Sequence, residues 1–273
     1  MLSLVQSYLY CVITLFYACT LSSTATASQK TTDETQTDVG WEYTYETSVA
    51  SAYVWRGLNL LGEGNQHYSP GVYFPSFSTT YGIWTLGWSA ALQMSGANFG
   101  RNVTAAAGME QDGYVQVEKE WKYNLSWTAV TSIYGFPASR KEIAGANHAA
   151  YIEPGLGVSG AWKINWSLKV FWFHGLQIHS EDYAYVYACT SKEWDSTLRW
   201  MFKLQLEGGH KWYFNDTNSD NVWDVQLLAS VKRIFSNHVA CGLQAAVTWS
   251  NFAGKSFVQE TVLWTMTTLS LSW

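Results

Sequence analysis

From Trp41 to Arg56 the chain alternates between two kinds of side chain with a period of two. The odd-numbered residues of this run are mostly aromatic or β-branched: Trp41, Tyr43, Tyr45, Thr47, Val49, Ser51, Tyr53 and Trp55. The even-numbered residues include every charged one: Glu42, Glu46 and Arg56. This period is typical of a β-strand whose two faces meet different surroundings. The apolar face packs on the core of a soluble sandwich or faces the lipid around a membrane barrel.

The composition favours a membrane protein that crosses the bilayer with strands. Charged residues make up 14% of the 273 residues, against roughly 25% in a typical soluble domain. No segment beyond the N-terminus has the ~18 uninterrupted apolar residues of a membrane helix. The 16 Trp and 17 Tyr occur in short alternating segments, which suits strands and the aromatic belts of membrane surfaces. A net charge of -5 argues against nucleic acid as a partner.

Residues 1–27 have the pattern of a secretory signal peptide. The apolar stretch from Tyr8 to Leu21 is too short to span a membrane, and Ala25-Thr26-Ala27 is a cleavage site of the A-x-A type. No Lys or Arg precedes Lys30, so an uncleaved membrane anchor stays an alternative. We interpret residues 28–40 as a polar periplasmic leader and residues 41–273 as the folded domain.

Similar alternation along the rest of the chain predicts twelve strands. They cover residues 41–57, 66–79, 83–94, 111–123, 125–136, 148–162, 166–176, 181–193, 196–210, 221–234, 238–250 and 258–273. Tight turns are placed after every second strand, at Thr79-Thr80-Tyr81-Gly82, Tyr123-Asn124, Lys163-Ile164-Asn165, Glu193-Trp194-Asp195 and Phe235-Ser236-Asn237. The other connections are mostly longer and polar, such as residues 95–112 and 137–147. This asymmetry is typical of bacterial outer-membrane proteins and predicts an all-β, antiparallel, up-and-down transmembrane β-barrel with its turns in the periplasm.

The faces of the later strands favour this barrel over a soluble sandwich. In the segment 196–210, for example, Phe202 and Leu204 alternate with Lys203 and Gln205. Inward charges of both signs would be costly in a small dry core unless they were fully paired, whereas they are acceptable where water reaches them. The chain ends on Trp273, an aromatic residue of an alternating strand. We therefore expect the barrel assembly machinery to recognise the C-terminal strand and to deliver the protein to the outer-membrane lipid.

Two short motifs carry a resemblance to a known family. Tyr53-Val54-Trp55-Arg56-Gly57 resembles the Y-x-[FW]-R-G signature of the TorF-like porins, which are bacterial outer-membrane proteins. Tyr81-Gly82-Ile83-Trp84 is similar to the run that opens the third strand of that family. The resemblance covers roughly residues 45–90, and it departs from the family at Leu58-Asn59-Leu60. It implies an outer-membrane location and a channel or porin-like role, and it implies no catalytic residue.

Charged residues on the predicted inner faces are the candidate lumen-lining residues. They are the acids Glu42, Glu46, Glu118, Glu120, Glu207 and Asp224, and the bases Arg56, Lys122, Lys169, Arg199, Lys203 and Lys232. Six acids and six bases form no ring of a single sign, so strong ion selectivity is not predicted. Either some of these residues line a passage for small solutes, or they form salt bridges that close the interior.

Arg56 receives a specific prediction because it ends the alternating run. Because it shares a face with Glu42 and Glu46, we expect its side chain to point into the barrel near the outer rim, while Tyr53 and Trp55 face the lipid. The expected partner is a lumen carboxylate from a neighbouring strand. Arg56 then positions an anionic part of the solute or ties the first loop inward as a constriction, and a purely structural role is the alternative.

No motif for catalysis or metal binding is found in the sequence. The six histidines lie outside any recognisable nucleophile–base pattern. The run from Asp216 to Asp220 imitates the start of a calcium loop, but Leu227 occupies the position of the bidentate glutamate. We therefore expect no enzyme activity, cofactor or metal. The main hypothesis is a porin-like channel for small solutes. The alternatives are a structural or adhesive barrel closed by its own charges and, less favoured, a secreted carbohydrate-binding sandwich.

Overall fold

The computed structural model describes residues 40–56, 58–59, 71–94, 109–136, 149–176, 182–196, 199–214, 222–251 and 261–273. The expected signal peptide and leader residues 28–39 lie outside the described residues, as does the run from Asp216 to Asp220. No helix in the described ranges is long and apolar enough to cross a membrane.

Twelve long antiparallel strands form a closed barrel, and two short strands lie apart from it. The barrel strands are β1 (Trp41–Ala50), β4 (Val72–Tyr81), β5 (Trp84–Gln93), β6 (Met109–Glu120), β7 (Leu125–Phe136), β8 (Ala149–Ala161), β9 (Asn165–Gly175), β10 (Tyr183–Ser196), β11 (Trp200–Tyr213), β12 (Val222–Ser236), β13 (Val239–Ser250) and β14 (Thr261–Ser272). The short strands are β2 (Val54–Trp55) and β3 (Leu58–Asn59), which pair with each other. The predicted twelve-stranded up-and-down barrel is thus confirmed.

The barrel closes by pairing its first strand with its last. The register runs from Thr44 opposite Ser272 to Ala50 opposite Met266. The amide of Tyr43 donates to the carbonyl of Trp273 over 2.9 Å, and the Trp273 amide donates back over 3.1 Å. Closure leaves no open sheet edge. The unpaired backbone N–H and C=O groups of such an edge could not form hydrogen bonds with lipid.

The two ends of the barrel differ in their connections. Tight turns at residues 82–83, 122–124, 162–164 and 237–238 join strands at one end, which we call the turn end. The opposite end, the loop end, carries the longer connections. The turn predicted at Glu193-Trp194-Asp195 is wrong, because these residues continue β10 and pair with β11, with Glu193 opposite Lys203.

The outward face is that of a membrane-spanning barrel. Its middle exposes aliphatic side chains such as Leu156, Leu204 and Leu263, the last of which is 72% exposed. Aromatic side chains are exposed around the turn end at Trp41, Tyr81, Trp84, Trp121, Tyr123, Trp162, Trp194, Phe235 and Trp273. Others are exposed near the loop end at Trp172, Trp212, Phe214, Trp223 and Trp249. An apolar belt between two aromatic girdles matches the hydrocarbon core and the two interfaces of a bilayer.

Candidate functional site: a segment that crosses the barrel interior

Residues 51–56, which we call the crossing segment, leave the barrel wall after β1. The amide of Ser51 still donates to the carbonyl of Thr265 over 2.9 Å, and the Ser51 hydroxyl accepts from the Thr265 amide over 3.0 Å. Beyond Ser51 the chain turns inward, and Val54 pairs with Asn59 of β3 instead of with a wall strand. Ala52 and Val54 are only 4% and 5% exposed, so the segment is enclosed by the barrel.

The crossing segment packs against different parts of the wall as it proceeds. Ala52 and Val54 belong to a buried cluster with Trp264 of β14. The Tyr53 ring meets Phe74 of β4 edge-on, with ring centroids 5.3 Å apart. These apolar contacts hold the first half of the segment near the strand from which it departs.

Arg56 lies at the far side of the barrel from β1. Its guanidinium is 5.1 Å from the ring centroid of Phe171 on β9. Five strands separate β9 from β1 in either direction around the barrel. The crossing segment therefore spans the barrel from one side to the other at the loop-end part of the interior.

The Arg56 guanidinium is held by an ion pair and by aromatic rings. Its Nη2 forms an ion pair with Oε1 of Glu153 on β8, and the two side chains are 5% and 0% exposed. Its Nη1 donates to the Tyr183 hydroxyl over 3.1 Å. The guanidinium carbon lies 4.3 Å from the ring centroid of Tyr185 and 4.6 Å from that of Trp55. A desolvated cation is stabilised by such rings. The charge of Arg56 is therefore paired with Glu153, and its guanidinium is packed against aromatic rings.

Further contacts fix the partners of Arg56. The second carboxylate oxygen of Glu153 accepts from the Tyr134 hydroxyl over 3.3 Å. Lys211 of β11, which is 1% exposed, donates from Nζ to the Arg56 carbonyl over 3.4 Å. Removing one partner of a buried ion pair typically costs about 3–5 kcal/mol, because the other charge stays buried. The pair is therefore a strong anchor for the end of the segment.

A second polar anchor lies on β6. The Tyr53 hydroxyl donates to Oε2 of Glu110, a carboxylate that is 3% exposed. Because β6 and β8 are different parts of the wall, the two anchors fix both the middle and the end of the crossing segment.

The backbone at Arg56 adopts a conformation that needs such anchors. Its φ of 48° lies in the left-handed region, which costs a residue with a Cβ about 1–2 kcal/mol. The ion pair and the ring contacts of Arg56 offset this cost. They hold the chain at the turn that leads from β2 to β3.

Three predictions about this stretch are wrong. Tyr53 and Trp55 do not face the lipid; Tyr53 is 5% exposed inside the barrel, and Trp55 contacts Phe173 there. The partner of Arg56 is not on a strand next to β1, since Glu153 belongs to β8. The reason is that the chain leaves the wall at Ser51, so alternation no longer separates a lipid side from a lumen side.

The structure places the other predicted lumen residues as follows. Nine lie on the inward faces of barrel strands: Glu42, Glu46, Glu118, Glu120, Lys169, Lys203, Glu207, Asp224 and Lys232. Lys122 is not on an inward face, because β6 ends at Glu120 and Lys122 lies in the exposed turn that follows. Arg199 precedes β11 in a turn with φ of 60° and donates to the carbonyl of Phe235 over 2.9 Å.

Glu207 is the centre of a hydrogen-bonded network on the inner wall. Its carboxylate accepts from the Tyr187 hydroxyl and from Nε2 of Gln226, each over 2.7 Å, and also from Gln205. Gln226 in turn accepts from the Thr248 hydroxyl over 2.6 Å. These donors are neutral, so they position the Glu207 carboxylate against the wall without neutralising its charge.

Several inward charged residues were missed from the sequence. They are Glu110, Asp112, Glu153, Glu193, Asp195 and Lys211. A signal existed for most of them, since Glu153 alternates with outward Ile152 and Pro154, and Lys211 continues the parity of Lys203. Some were missed because the strands are longer than predicted: β6 begins at Met109, and β11 extends to Tyr213.

Short polar side chains line a large part of the inner wall. On β4, β5, β7 and β8 they are Ser76, Ser78, Thr80, Thr85, Ser89, Ser126, Thr128, Ser132 and Ser159. Because these side chains reach only a short way inward, this part of the wall leaves more of the interior to water than the aromatic wall of β9 and β10 does.

Comparison with known proteins gives the fold. No protein-family model matches the chain, and no curated protein sequence matches it. Among solved structures, the chain is similar to the KdgM porin, with a TM-score of 0.50, 6% identity, and coverage of 85% of this chain and 99% of that one. It is also similar to LpxR from Salmonella typhimurium, with a TM-score of 0.50, 10% identity, and coverage of 84% and 99%. At these identities the likeness concerns the fold alone.

Proposed function

We propose that the protein is a bacterial outer-membrane channel of the porin type for small solutes, and that the crossing segment forms its constriction. The observation that carries this proposal is a closed barrel with an apolar outer face and a polar, charged inner face that includes a wall of short side chains. The KdgM porin has a similar fold. The resemblance of Tyr53-Val54-Trp55-Arg56-Gly57 to the TorF-like porins supports the same assignment.

The proposal includes an orientation and a route to the membrane. Residues 1–27 act as a signal peptide that is cleaved after Ala27. The turn end lies in the periplasm and the loop end at the cell surface, as is usual when turns are short and loops are long. The barrel assembly machinery recognises β14, which carries Trp273 at its end. The crossing segment then lies toward the outer mouth of the channel.

A narrow passage follows from the size of the barrel. Eight-stranded barrels are filled by their side chains, whereas barrels of sixteen strands leave an aqueous channel. Twelve strands with one crossing segment lie between these limits, so we expect only small solutes to pass. A structural or adhesive barrel with a closed interior is the competing function, and the lack of enzyme activity stays a prediction.

Planar lipid bilayer recording of the purified full-length mature protein tests the proposal. We expect step-like current increases as single barrels insert. Heat-modifiable migration on gels verifies that the barrels are folded. Silence over many insertions of folded barrel would overturn the channel and favour the closed barrel.

A further inference from the structure

The acidic residues that the structure describes are sorted almost completely to the inside of the barrel. Of the twelve acids that the structure describes, eleven lie on inward faces: Glu42, Glu46, Glu110, Asp112, Glu118, Glu120, Glu153, Glu193, Asp195, Glu207 and Asp224. The remaining one, Asp182, lies at the loop end and contacts His174.

The basic residues are sorted differently. Of the eleven described Lys and Arg residues, only five lie inside: Arg56, Lys169, Lys203, Lys211 and Lys232. The other six lie in turns or on outward faces at the turn end: Lys119, Lys122, Lys163, Lys192, Arg199 and Arg233. The described interior is therefore net acidic. The balance of six acids and six bases expected from the sequence is wrong, because it missed inward acids and counted Lys122 and Arg199 as inward.

Among the described residues, the excess of acid is confined to one side of the barrel. The inner faces of β1 and of β4 to β8 carry seven acids and no base in the described ranges: Glu42, Glu46, Glu110, Asp112, Glu118, Glu120 and Glu153. The inner faces of β9 to β14 carry four acids and four bases: Glu193, Asp195, Glu207, Asp224, Lys169, Lys203, Lys211 and Lys232. The first of these two sides, which we call the acidic wall, also carries the short Ser and Thr side chains.

Toward the turn end the acids of the acidic wall form no described ion pair, although Lys232 of the opposite side acts on Glu46 electrostatically. Near the loop end, Arg56 of the crossing segment neutralises Glu153. Farther along, Glu46 accepts from the Ser270 hydroxyl over 3.0 Å, and Glu118 accepts from Nε2 of Gln116 over 3.2 Å. Both donors are neutral. The ion pairs of the described residues involve neither Glu46 nor Glu118.

We propose that the channel selects for cations, and that small positively charged solutes pass along the acidic wall. This inference rests on the proposed channel function and adds the class of solute. A narrow lumen with walls of low dielectric constant focuses the field of its charges. Rings of acidic side chains are how cation channels select. A lumen potential of about −1 kT raises the local cation concentration about threefold over bulk.

The test is the zero-current potential of the full-length mature protein in planar bilayers under a KCl gradient. We expect K⁺ to permeate about threefold or more better than Cl⁻ near ~0.1 M salt, where the Debye length is about 10 Å. The ratio should approach one near ~1 M salt, where the Debye length is about 3 Å. A channel that conducts with a ratio of one or less at the lower salt would overturn the selectivity and leave the channel function intact. A folded barrel that never conducts would overturn both.

Variants that neutralise charged residues test whether the acidic wall causes the cation selectivity. The triple variant Glu46→Gln/Glu118→Gln/Glu120→Gln should lower the K⁺ to Cl⁻ ratio by half or more. The matched control is Lys119→Gln, which changes one charge between Glu118 and Glu120 but on the outward face, and it should leave the ratio unchanged. If the triple variant does not assemble, the single variant Glu118→Gln, at an exposed position, should lower the ratio in the same direction. An unchanged ratio in an assembled variant would overturn the role of the acidic wall.

Discussion

Arg56, at the end of the crossing segment, forms an ion pair with Glu153 of β8, on the opposite side of the barrel from β1. The pair links the first connection of the chain to a strand about one hundred residues later. Because both charges are buried, neither can be removed without leaving the other uncompensated. The pair thus decides whether the crossing segment stays docked inside the barrel.

Removing the acidic partner should release the crossing segment. In Glu153→Gln we expect a loss of about 3 kcal/mol of docking free energy, which corresponds to a roughly 100-fold larger undocked fraction. The reactivity of a cysteine placed at Ala52, which is 4% exposed, measures this fraction with a water-soluble thiol reagent. The host should carry Cys189→Ser and Cys241→Ser. A matched control is Glu193→Gln, which removes an inward carboxylate near the turn end and should leave the labelling rate unchanged. Equal labelling rates in Glu153→Gln and its parent would contradict the anchoring role of the pair.

The proposed orientation can be tested in intact cells that lack Cys189 and Cys241. A membrane-impermeant thiol reagent should label Ala146→Cys, in a long connection, and should spare Asn124→Cys, in a tight turn. The second variant should become reactive once the cells are opened. Labelling of Asn124→Cys but not of Ala146→Cys in intact cells would invert the orientation.

Closure of the barrel should depend on its last strand. Deletion of β14 leaves unpaired edges on β13 and β1 that lipid cannot satisfy, so we expect exported protein that does not insert. Trp273→Ala should lower the amount of heat-modifiable barrel in the same direction. Trp162→Ala removes another Trp at the turn end, one that is 90% exposed, and serves as the control. Normal barrel levels after deletion of β14 would contradict this explanation of closure.

The two faces of the wall should differ in their tolerance of charge. Leu204→Lys places a cation in the apolar belt and should destabilise the barrel by about 2–4 kcal/mol if it lies near the bilayer midplane. Ser76→Lys places the same cation inside, opposite Glu46, and should be tolerated. Denaturant unfolding of both variants in the same lipid compares the two costs. A larger loss for Ser76→Lys would contradict the assignment of the faces.

The barrel itself could be predicted because its signal is local. Each strand carries its own alternation, and in β11 and β12 this alternation separates outward residues such as Phe202 and Trp223 from inward residues such as Lys203 and Asp224. The order of short and long connections then gives the topology. Strand ends were less accurate, as the position of Arg199 in a turn shows, since a pattern of period two does not mark where the wall stops.

The crossing segment could not be predicted from its own residues. Ser51, Tyr53 and Trp55 continue the alternation of β1, so the local pattern is the same whether the chain stays in the wall or turns inward. The contacts that turn the chain inward involve residues distant in sequence: Ala52 packs with Trp264, and Arg56 pairs with Glu153. The motif around Arg56 identified this arginine from the sequence alone. Its partner, Glu153, could be identified only from the three-dimensional structure.

The most direct test of the constricted channel is the single-channel conductance of the wild type beside Arg56→Ala. Truncation of Arg56 removes the charge, the ring contacts and the ion pair that hold the crossing segment, while the barrel wall keeps its strand pairing. We expect both proteins to fold to similar levels, the wild type to open in small steps, and Arg56→Ala to open in larger steps. Equal steps in the two folded proteins would contradict the constriction, and silence from both would contradict the channel.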